Sequence, residues 1–373
     1  MAKPGVCFVH GDAVDLFRGS NGPRFGGSET QVYQMAKVLS TTEEFDVRLV
    51  SDKPVDGAHH PGITFRAPLP PIKRGVPYLS RLVNRKRARW PYEGLEEAVL
   101  IQTILSMHTI PTWRTARSLG FKFVYRMSCD ADIDGSLYAP EVARQLHEAV
   151  RDADGVIAQS ETQKERLFSE LSVESTVVRS IVDIPPDGPS TSGSYVLWAG
   201  RGAPIKRPWI MVETARLLPE IEFVMLMPVE DRLFWRCVAQ EAGSIPNLTV
   251  VPGVSHFDMP GYYRNAAVFA STSAIEGVPS AFLQSAAQGT PIISLEVDPD
   301  GMLESGGLGY CAGGDVDGFR VAIADHIANP GVAQEHGRAA FRYVEQHHSP
   351  EAVGPVLREF LETVLTRQSA YSG

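Results

Sequence analysis

The apolar positions of the chain come in two patterns. Some are short unbroken runs: GVCFVH (5–10), FDVRLVS (45–51), AVLIQTIL (98–105), FKFVYRM (121–127), GVIAQS (155–160) and TVVRSIV (176–182). Unbroken rather than alternating apolarity predicts strands buried on both faces, as in a parallel sheet covered by helices. Between these runs the apolar residues recur every three or four positions. TQVYQMAKVLS has them at 32, 35, 36 and 39, and PEVARQLHEAV (140–150) starts on a proline, so both predict helices. ETQKERLF, from 161, begins another.

Residues 184–194 read IPPDGPSTSGS, the strongest linker composition in the chain. Beyond it the alternation restarts. Strands are expected at SYVLWAG (194–200), EFVMLMP (222–228), NLTVVPG (247–253), AAVFAST (266–272) and PIISLEV (291–297). RPWIMVETARLL (207–218) is expected to be helical, and PEAVGPVLREFLETVLTRQ (350–368) a long amphipathic helix. Strand, Gly-rich loop, helix, strand is the opening of a doubly wound α/β domain. Two such halves predict a cleft between them, with ligands at the carboxyl ends of the strands. A length of 373 residues also favours two domains over one core.

Composition narrows the function. Lys and Arg total 35 against 44 Asp and Glu, a formal charge of -9, which argues against nucleic acid as the main partner. Cys7, Cys129, Cys237 and Cys311 are scattered and form no CxxC pair. Free thiols in a reducing compartment are expected, rather than disulfides or zinc. MAKPGVCFVHGD is too short in apolar residues for a signal peptide, and no run reaches the roughly 18 that a membrane span needs. The expectation is a cytoplasmic protein, peripheral at a membrane at most. KRGVPYLSRLVNRKRAR (73–89) holds seven basic residues and no acid, with Tyr78, Leu79, Leu82, Val83 and Trp90 near helical spacing. It reads either as a solvated helix with a core face or as a contact, over 73–90, for an anionic membrane surface or a phosphorylated acceptor.

Four stretches could carry chemistry. GGSE (26–29) lies between a strand and a helix, where Gly26 and Gly27 let a ligand approach the backbone and a helix start favours an anion. AGRGAPIKR (199–207) lacks the third glycine of a dinucleotide fingerprint, and no acid closes the next strand, so a nicotinamide enzyme is disfavoured. Its Arg201 and Lys206 are suited to a diphosphate, or are surface charges. TSAIEGVPSAF follows a strand directly: Gly277 and Pro279 shape a loop, while Ser280 and Ala281 present N–H groups at a helix start. Glu276 then suits neutral hydroxyls better than the anion. DADIDGSLYAPE (130–141) fits the D-x-D-x-D-G-x5-E calcium pattern through Asp130, Asp132, Asp134 and Glu141. A strand precedes it and Pro140 interrupts it, so an acidic loop capping turns is the competing reading.

Several of these motifs, in this order, resemble the GT-B glycosyltransferases of family 4, the retaining, nucleotide-sugar-dependent group. The resemblance rests on the Gly-rich loop after the first strand, VIAQSE, G-R-x4-K (200–206), P-G-x8-Y-x4-A (252–267), E-G-x-P-x4-Q-x4-G-x-P (276–291) and a final helix like the family's crossover helix. It implies a GT-B fold: an acceptor-side domain over 1–188 plus 353–373 and a nucleotide-sugar domain over 189–352. It implies a hexosyltransferase acting on a glycan, lipid-linked or small-molecule acceptor, as in polysaccharide biosynthesis. No cofactor and no divalent metal is expected. Glu276 would hold donor-sugar hydroxyls. Arg201 and Lys206 would hold the leaving diphosphate with the backbone of Gly26 and Gly27 and of Gly277, Val278, Pro279 and Ser280. Position 284 would take the ribose, and the base would lie near 251–253, at Gly253.

Two residues depart from the family pattern. Gln284 stands where the family usually has Glu, and Ser128 where it often has His, which leaves Arg126, Cys129 or Asp130 to fill that part of the pocket. These departures motivate the alternative, a weak or inactive GT-B-like protein that binds a sugar nucleotide or glycan. A GT-A transferase is disfavoured by the two-half organisation, and nothing points to a sugar phosphorylase.

Overall fold

The computed structural model describes residues 2–19, 26–67, 89–103, 108–190 and 193–367. Uninterrupted apolar runs become two parallel sheets. The first runs β3-β2-β1-β4-β5-β6-β7, from β1 (Gly5–Val9), β2 (Asp46–Val50), β3 (Ile63–Arg66), β4 (Ala98–Thr103), β5 (Lys122–Arg126), β6 (Gly155–Ala158) and β7 (Thr176–Val177). The second runs β10-β9-β8-β11-β12-β13, from β8 (Tyr195–Ala199), β9 (Phe223–Leu226), β10 (Leu248–Val251), β11 (Ala266–Ser271), β12 (Ile292–Ser294) and β13 (Gly309–Cys311). Each order reverses direction at its first strand, β1 or β8. The crevice for ligands in such sheets opens at that point.

Helices cover both faces of each sheet. They are α1 (Ala13–Phe17), α2 (Gly27–Ser40), α3 (Thr109–Leu119), α4 (Ala131–Asp134), α5 (Pro140–Arg151), α6 (Glu161–Leu171), α7 (Pro208–Leu217), α8 (Arg232–Ala242), α9 (Met259–Arg264), α10 (Ser280–Ala287), α11 (Val316–Ala328), α12 (Pro330–His347) and α13 (Pro350–Thr366). On the first sheet, Met35 and Leu39 of α2 and Leu357, Phe360 and Leu361 of α13 pack on Val6, Phe8, Ile101 and Val124. The residues between, Cys7, Leu100, Phe123 and Tyr125, point to the other face, where Ala116, Leu146 and Leu167 cover them. The last helix thus leaves the second half and completes the first core. Glycines permit its close approach: a Cβ on Gly155 would stand 2.8 Å from Phe360 Cζ, and one on Gly354 2.8 Å from Val38 Cγ1.

TVVRSIV was expected to be a strand throughout, but only Thr176–Val177 pairs. Val178 and Ile181 are still buried in the core; their backbone, however, is turning into the crossing between halves. Ile181 donates its N–H to Gln31 Oε1 (2.7 Å) and accepts from Gln31 Nε2 (2.9 Å). The chain crosses a second time at 348–350, and the crossings are tied together. Val182 N–H donates to the His348 carbonyl (2.9 Å), and His348 Nδ1 donates to the Ser180 carbonyl (2.7 Å). Burial pushes the His348 imidazole down to about 4, so the ring is held neutral with its proton on Nδ1.

The calcium-pattern loop folds as one helical turn, α4, and its carboxylates diverge. Asp132 turns inward and is fully buried. It accepts from the Ser128 N–H and hydroxyl (2.9 Å each), from Tyr125 Oη (3.4 Å) and from Tyr138 Oη. Asp130 and Asp134, four apart and on one face, both pair with Arg166 (3.1 and 3.2 Å). Glu141 pairs with Arg144 (2.8 Å) on the next helix. Among the described residues no group of three or more His, Cys, Asp or Glu is placed to hold a metal ion.

Two stability tests follow from these contacts. His348 has a folded pKa below its ordinary 6.5, so the unfolded chain binds the extra proton first as pH falls. Stability is then present above 6.5 and lost towards 4, at up to about 1.4 kcal/mol per pH unit. Denaturant unfolding from pH 7 to 4 should show a shallower loss in His348→Gln, whose amide can still donate to Ser180; identical slopes would refute this role. Asp132→Asn should cost about 2–3 kcal/mol, since hydroxyls aimed at a carboxylate lose a charged acceptor. A change within about 0.5 kcal/mol, the range of an ordinary surface substitution, would show that the charge is dispensable.

Candidate active site

The chain leaves β8 through residues 200–207 and leaves its sheet neighbour β11 through 272–279. Side chains stitch the two exits together. Trp198 Nε1 donates to Thr272 Oγ1 (2.9 Å), which donates to the Lys206 carbonyl (2.6 Å). Ala274 N–H donates to the Ile205 carbonyl (2.9 Å). Arg207 straps the pair: Nε donates to the Thr272 carbonyl (2.6 Å), and Nη2 to the Ser273 carbonyl (3.0 Å) and the Glu296 carboxylate (2.7 Å). Arg207 has φ 48°, which an L residue rarely adopts, and these bonds hold it there.

That stitching brings Lys206 Nζ onto the Glu276 carboxylate, with each side chain only 18% exposed. Arg201 lies exposed on the same loop, and its guanidinium makes no hydrogen bond or ion pair among the described residues. Of the two cations, Lys206 is therefore engaged with Glu276, and Arg201 is available to a ligand.

The glycines of the first half meet this site from across the cleft. α2 starts from Gly26, in extended conformation and with no side-chain cap; α10 starts from Pro279 in the same way. A Cβ on Gly27 would stand 2.7 Å from Ser280 Oγ. Two helix N-termini, one from each half, therefore converge with their first amides unpaired among the described residues. Each such end carries partial positive charge and suits an anion. Only Glu29 bends back toward α2's start, held by the Ser28 hydroxyl (2.9 Å). Gly277 is as tightly placed: a Cβ there would meet the Ser128 carbonyl at 2.9 Å and Gln163 Nε2 at 3.2 Å. Val278 is buried in the core of the second half.

Gln284 lies about one turn into α10 and lines a cavity of about 60 Å³ between α2 and α10, with Gln31, Gln34, Asp183, His256 and Ser280. Gly253 turns the chain after β10 (φ 93°), three residues before His256. Glu276, in the loop four residues before α10, is not among the residues that line this cavity.

Ser128 sits against Gly277, but its hydroxyl is committed to Asp132 and its carbonyl accepts from Gln159 Nε2 (3.1 Å). The residues that could replace a histidine are also occupied. Arg126 is buried and donates to Ser180 Oγ (2.7 Å) in the crossing. Burial pushes the Cys129 thiol up to about 12, and Asp130 is on Arg166. At the end of β1, His10 accepts from Ala13 N–H (3.4 Å), and burial lowers its pKa. Sequence spacing pointed to Glu276, Lys206 and the glycines. It passed over Thr272, Trp198 and Arg207, whose parts depend on contacts distant in the chain; the local signal was Arg207's place directly after the G-R-x4-K loop.

Residues 194–329 match the family model described as Glycosyl transferases group 1. No curated protein matches the chain. Sucrose-phosphate synthase from Thermosynechococcus elongatus has a similar structure, with TM-score 0.76 and 15% identity over 97% of this chain and 99% of that one. WaaG, a glycosyltransferase involved in lipopolysaccharide biosynthesis, gives TM-score 0.67 and 11% identity over 95% and 99%. A TarM mutant from S. aureus, in complex with fondaparinux, alpha-GlcNAc-glycerol and UDP, gives 0.60 and 16% over 72% and 55%. At these identities the likeness is one of fold. The chain thus has the GT-B fold, and residues 194–329 within its second half match the model of the glycosyl transferases group 1.

Proposed function

We propose that the chain is a retaining glycosyltransferase of the hexosyltransferase class. It moves a sugar from a nucleoside diphosphate donor to a hydroxyl of a glycan, lipid-linked or small-molecule acceptor. The observation that carries this reading is the meeting of two uncapped helix starts at Gly27 and Ser280, beside the Lys206–Glu276 pair and the exposed Arg201. A leaving diphosphate gains charge as the glycosidic bond breaks. Fixed amides and cations already aimed at it stabilise that charge without reorganising. Lys206, Arg201 and the amides supply this neutralisation, so no divalent metal or other cofactor is required.

Glu276 is the acceptor of donor-sugar hydroxyls. Its pairing with Lys206 suits that work better than attack on the anomeric carbon. The reaction then runs on one face of the sugar: the acceptor oxygen bonds to the anomeric carbon as the bond to the diphosphate breaks. The acceptor proton passes to the departing phosphate oxygen. Support for the donor class comes from the UDP in the TarM complex, and for a glycan acceptor from the part of WaaG in lipopolysaccharide biosynthesis. We place the protein in the cytoplasm, peripheral at a membrane at most. No helix among the described residues is long and apolar enough to cross one. The basic segment proposed as the membrane contact lies, up to residue 88, outside the described residues.

The test is turnover of UDP-, GDP-, ADP- and dTDP-sugars followed by release of the nucleoside diphosphate. Glu276→Ala and Lys206→Met should each lower turnover of the accepted donor by roughly a hundredfold or more. Anomeric NMR signals of the product should show the donor's configuration retained. Undiminished turnover in Glu276→Ala would contradict the assignment, and nucleotide binding with no product from any donor would favour an inactive binder.

A further inference from the structure

α2 and α10 start at the cleft with no side-chain cap. α6 starts at the carboxyl end of β6, and it is capped from the opposite half. Its third amide stays within the first half: Gln163 N–H donates to Ser160 Oγ (3.1 Å). The first two reach across. Glu161 N–H donates to Asp300 Oδ2 and Thr162 N–H to Asp300 Oδ1, at 3.0 Å each. Arg179, at the first crossing, stands 3.8 Å from the same carboxylate. Both oxygens of one side chain are thus engaged with the other half of the molecule, at a helix start whose partial positive charge suits an anion.

Asp300 makes this contact against its backbone preference. Its φ is 52°, a region that glycine enters freely and other residues rarely do. Asp298 shapes the loop that presents it, accepting from the N–H groups of Leu303 (2.7 Å) and Glu304 (3.5 Å). Only 16% of the Asp300 side chain is exposed. Burial by itself would raise its pKa, yet the two amides and Arg179 hold it below the ordinary carboxylate range. The residue after Thr162 carries the contact on to the site. Gln163 Oε1 accepts from Gln159 N–H (2.8 Å) and Nε2 donates to Asp130 Oδ1 (3.2 Å), so the carboxamide is fixed. That Nε2 would stand 3.2 Å from a Cβ on Gly277, the neighbour of Glu276. The first turn of α6 therefore bears on the second half twice, at Asp300 and at the turn that carries Glu276.

We propose that Asp300 is a positioning residue for the sugar transfer: its carboxylate latches the start of α6 to the second half and so holds the Glu276–Gly277 turn against the first. This rests on the reading of the chain as a transferase that binds a nucleotide sugar between its halves. Asp300 touches no reacting atom. It acts by setting how much of the population has the cleft closed. The strained backbone at 300 is kept because glycine, which would fit it better, has no carboxylate to reach across.

Small-angle scattering of the full chain reads the opening directly. Asp300→Gly relieves the backbone and removes only the side chain, so the fold should persist. Its radius of gyration should exceed that of wild type. Turnover of whichever UDP-, GDP-, ADP- or dTDP-sugar is accepted gives the second readout. Opening dilutes the binding-competent state, so KM for the donor should rise about tenfold while kcat stays within about threefold. Asp300→Asn tolerates the same φ and keeps one acceptor oxygen, so its KM should lie between wild type and Asp300→Gly. Glu161→Pro removes one amide from the other side of the contact, at the first helical position, which accepts proline. It should raise KM by itself and add nothing to Asp300→Gly, because that amide has then already lost its acceptor. A wild-type radius or a wild-type KM in Asp300→Gly overturns the inference, as does a loss confined to kcat. Should Asp300→Gly not fold, Glu161→Pro decides by the same readouts. A wild type that turns over no donor overturns the donor reading, and the scattering then decides the latch by itself.

Discussion

The meeting of the α2 and α10 N-termini is the constraint that organises this molecule. Gly27 approaches Ser280 so closely that a single Cβ would stand 2.7 Å from the hydroxyl. Two like-signed helix ends at that separation repel, and each leaves amides without acceptors. Only an anion between them turns this arrangement from a cost into a binding site. Arg201 stands at the same edge of the second sheet as the Lys206–Glu276 pair and brings a cation that pair does not engage. Glu276, on Lys206, is the counterweight that lets the site recognise neutral hydroxyls beside a charged group.

The rest of the fold keeps those two ends in register. Reversal of strand order at β1 and β8 opens the crevices they occupy. The halves are joined at several points besides the covalent link. The two chain crossings are tied through Val182 and His348, and Gln31 clasps Ile181 from the second turn of α2. Asp300, held at φ 52° in the second half, accepts from the N–H groups of Glu161 and Thr162 at the start of α6 (3.0 Å each). α13 starts at the second crossing and buries Phe360 in the first core. A change in any of these contacts would be felt at the cleft, because they set how the helix starts face each other.

Much of this was legible in the sequence, and what was not has physical causes. Unbroken apolar runs marked the central strands, since a strand covered on both faces has no polar side to show. The edge strands β3 and β13 lack that signature; they are short and only half covered. TVVRSIV has the apolarity of a strand because it enters the core, yet its backbone bonds to a glutamine side chain and a second crossing. The D-x-D-x-D-G spacing reads as a metal loop only if the chain wraps around an ion. In a helical turn the same spacing sends Asp132 inward and its neighbours to Arg166. Glu276 and Lys206 could be found because each sits in a short motif directly after a strand. Thr272 and Arg207 could not, since their parts depend on contacts between two strand exits some 65 residues apart in the chain.

Binding of the nucleoside diphosphate to Gly27→Val most directly tests whether the converging helix starts form the anion seat. A valine Cβ there would stand 2.7 Å from Ser280 Oγ and 3.5 Å from its Cβ, and the branched methyls would fill the gap between the two ends. Valine is no worse than glycine as a helix former, so α2 itself should persist. Affinity should fall about tenfold or more, in line with an anion losing its fixed amide donors, and Gly27→Val/Ser280→Gly should recover part of it. Wild-type affinity in Gly27→Val would contradict the account.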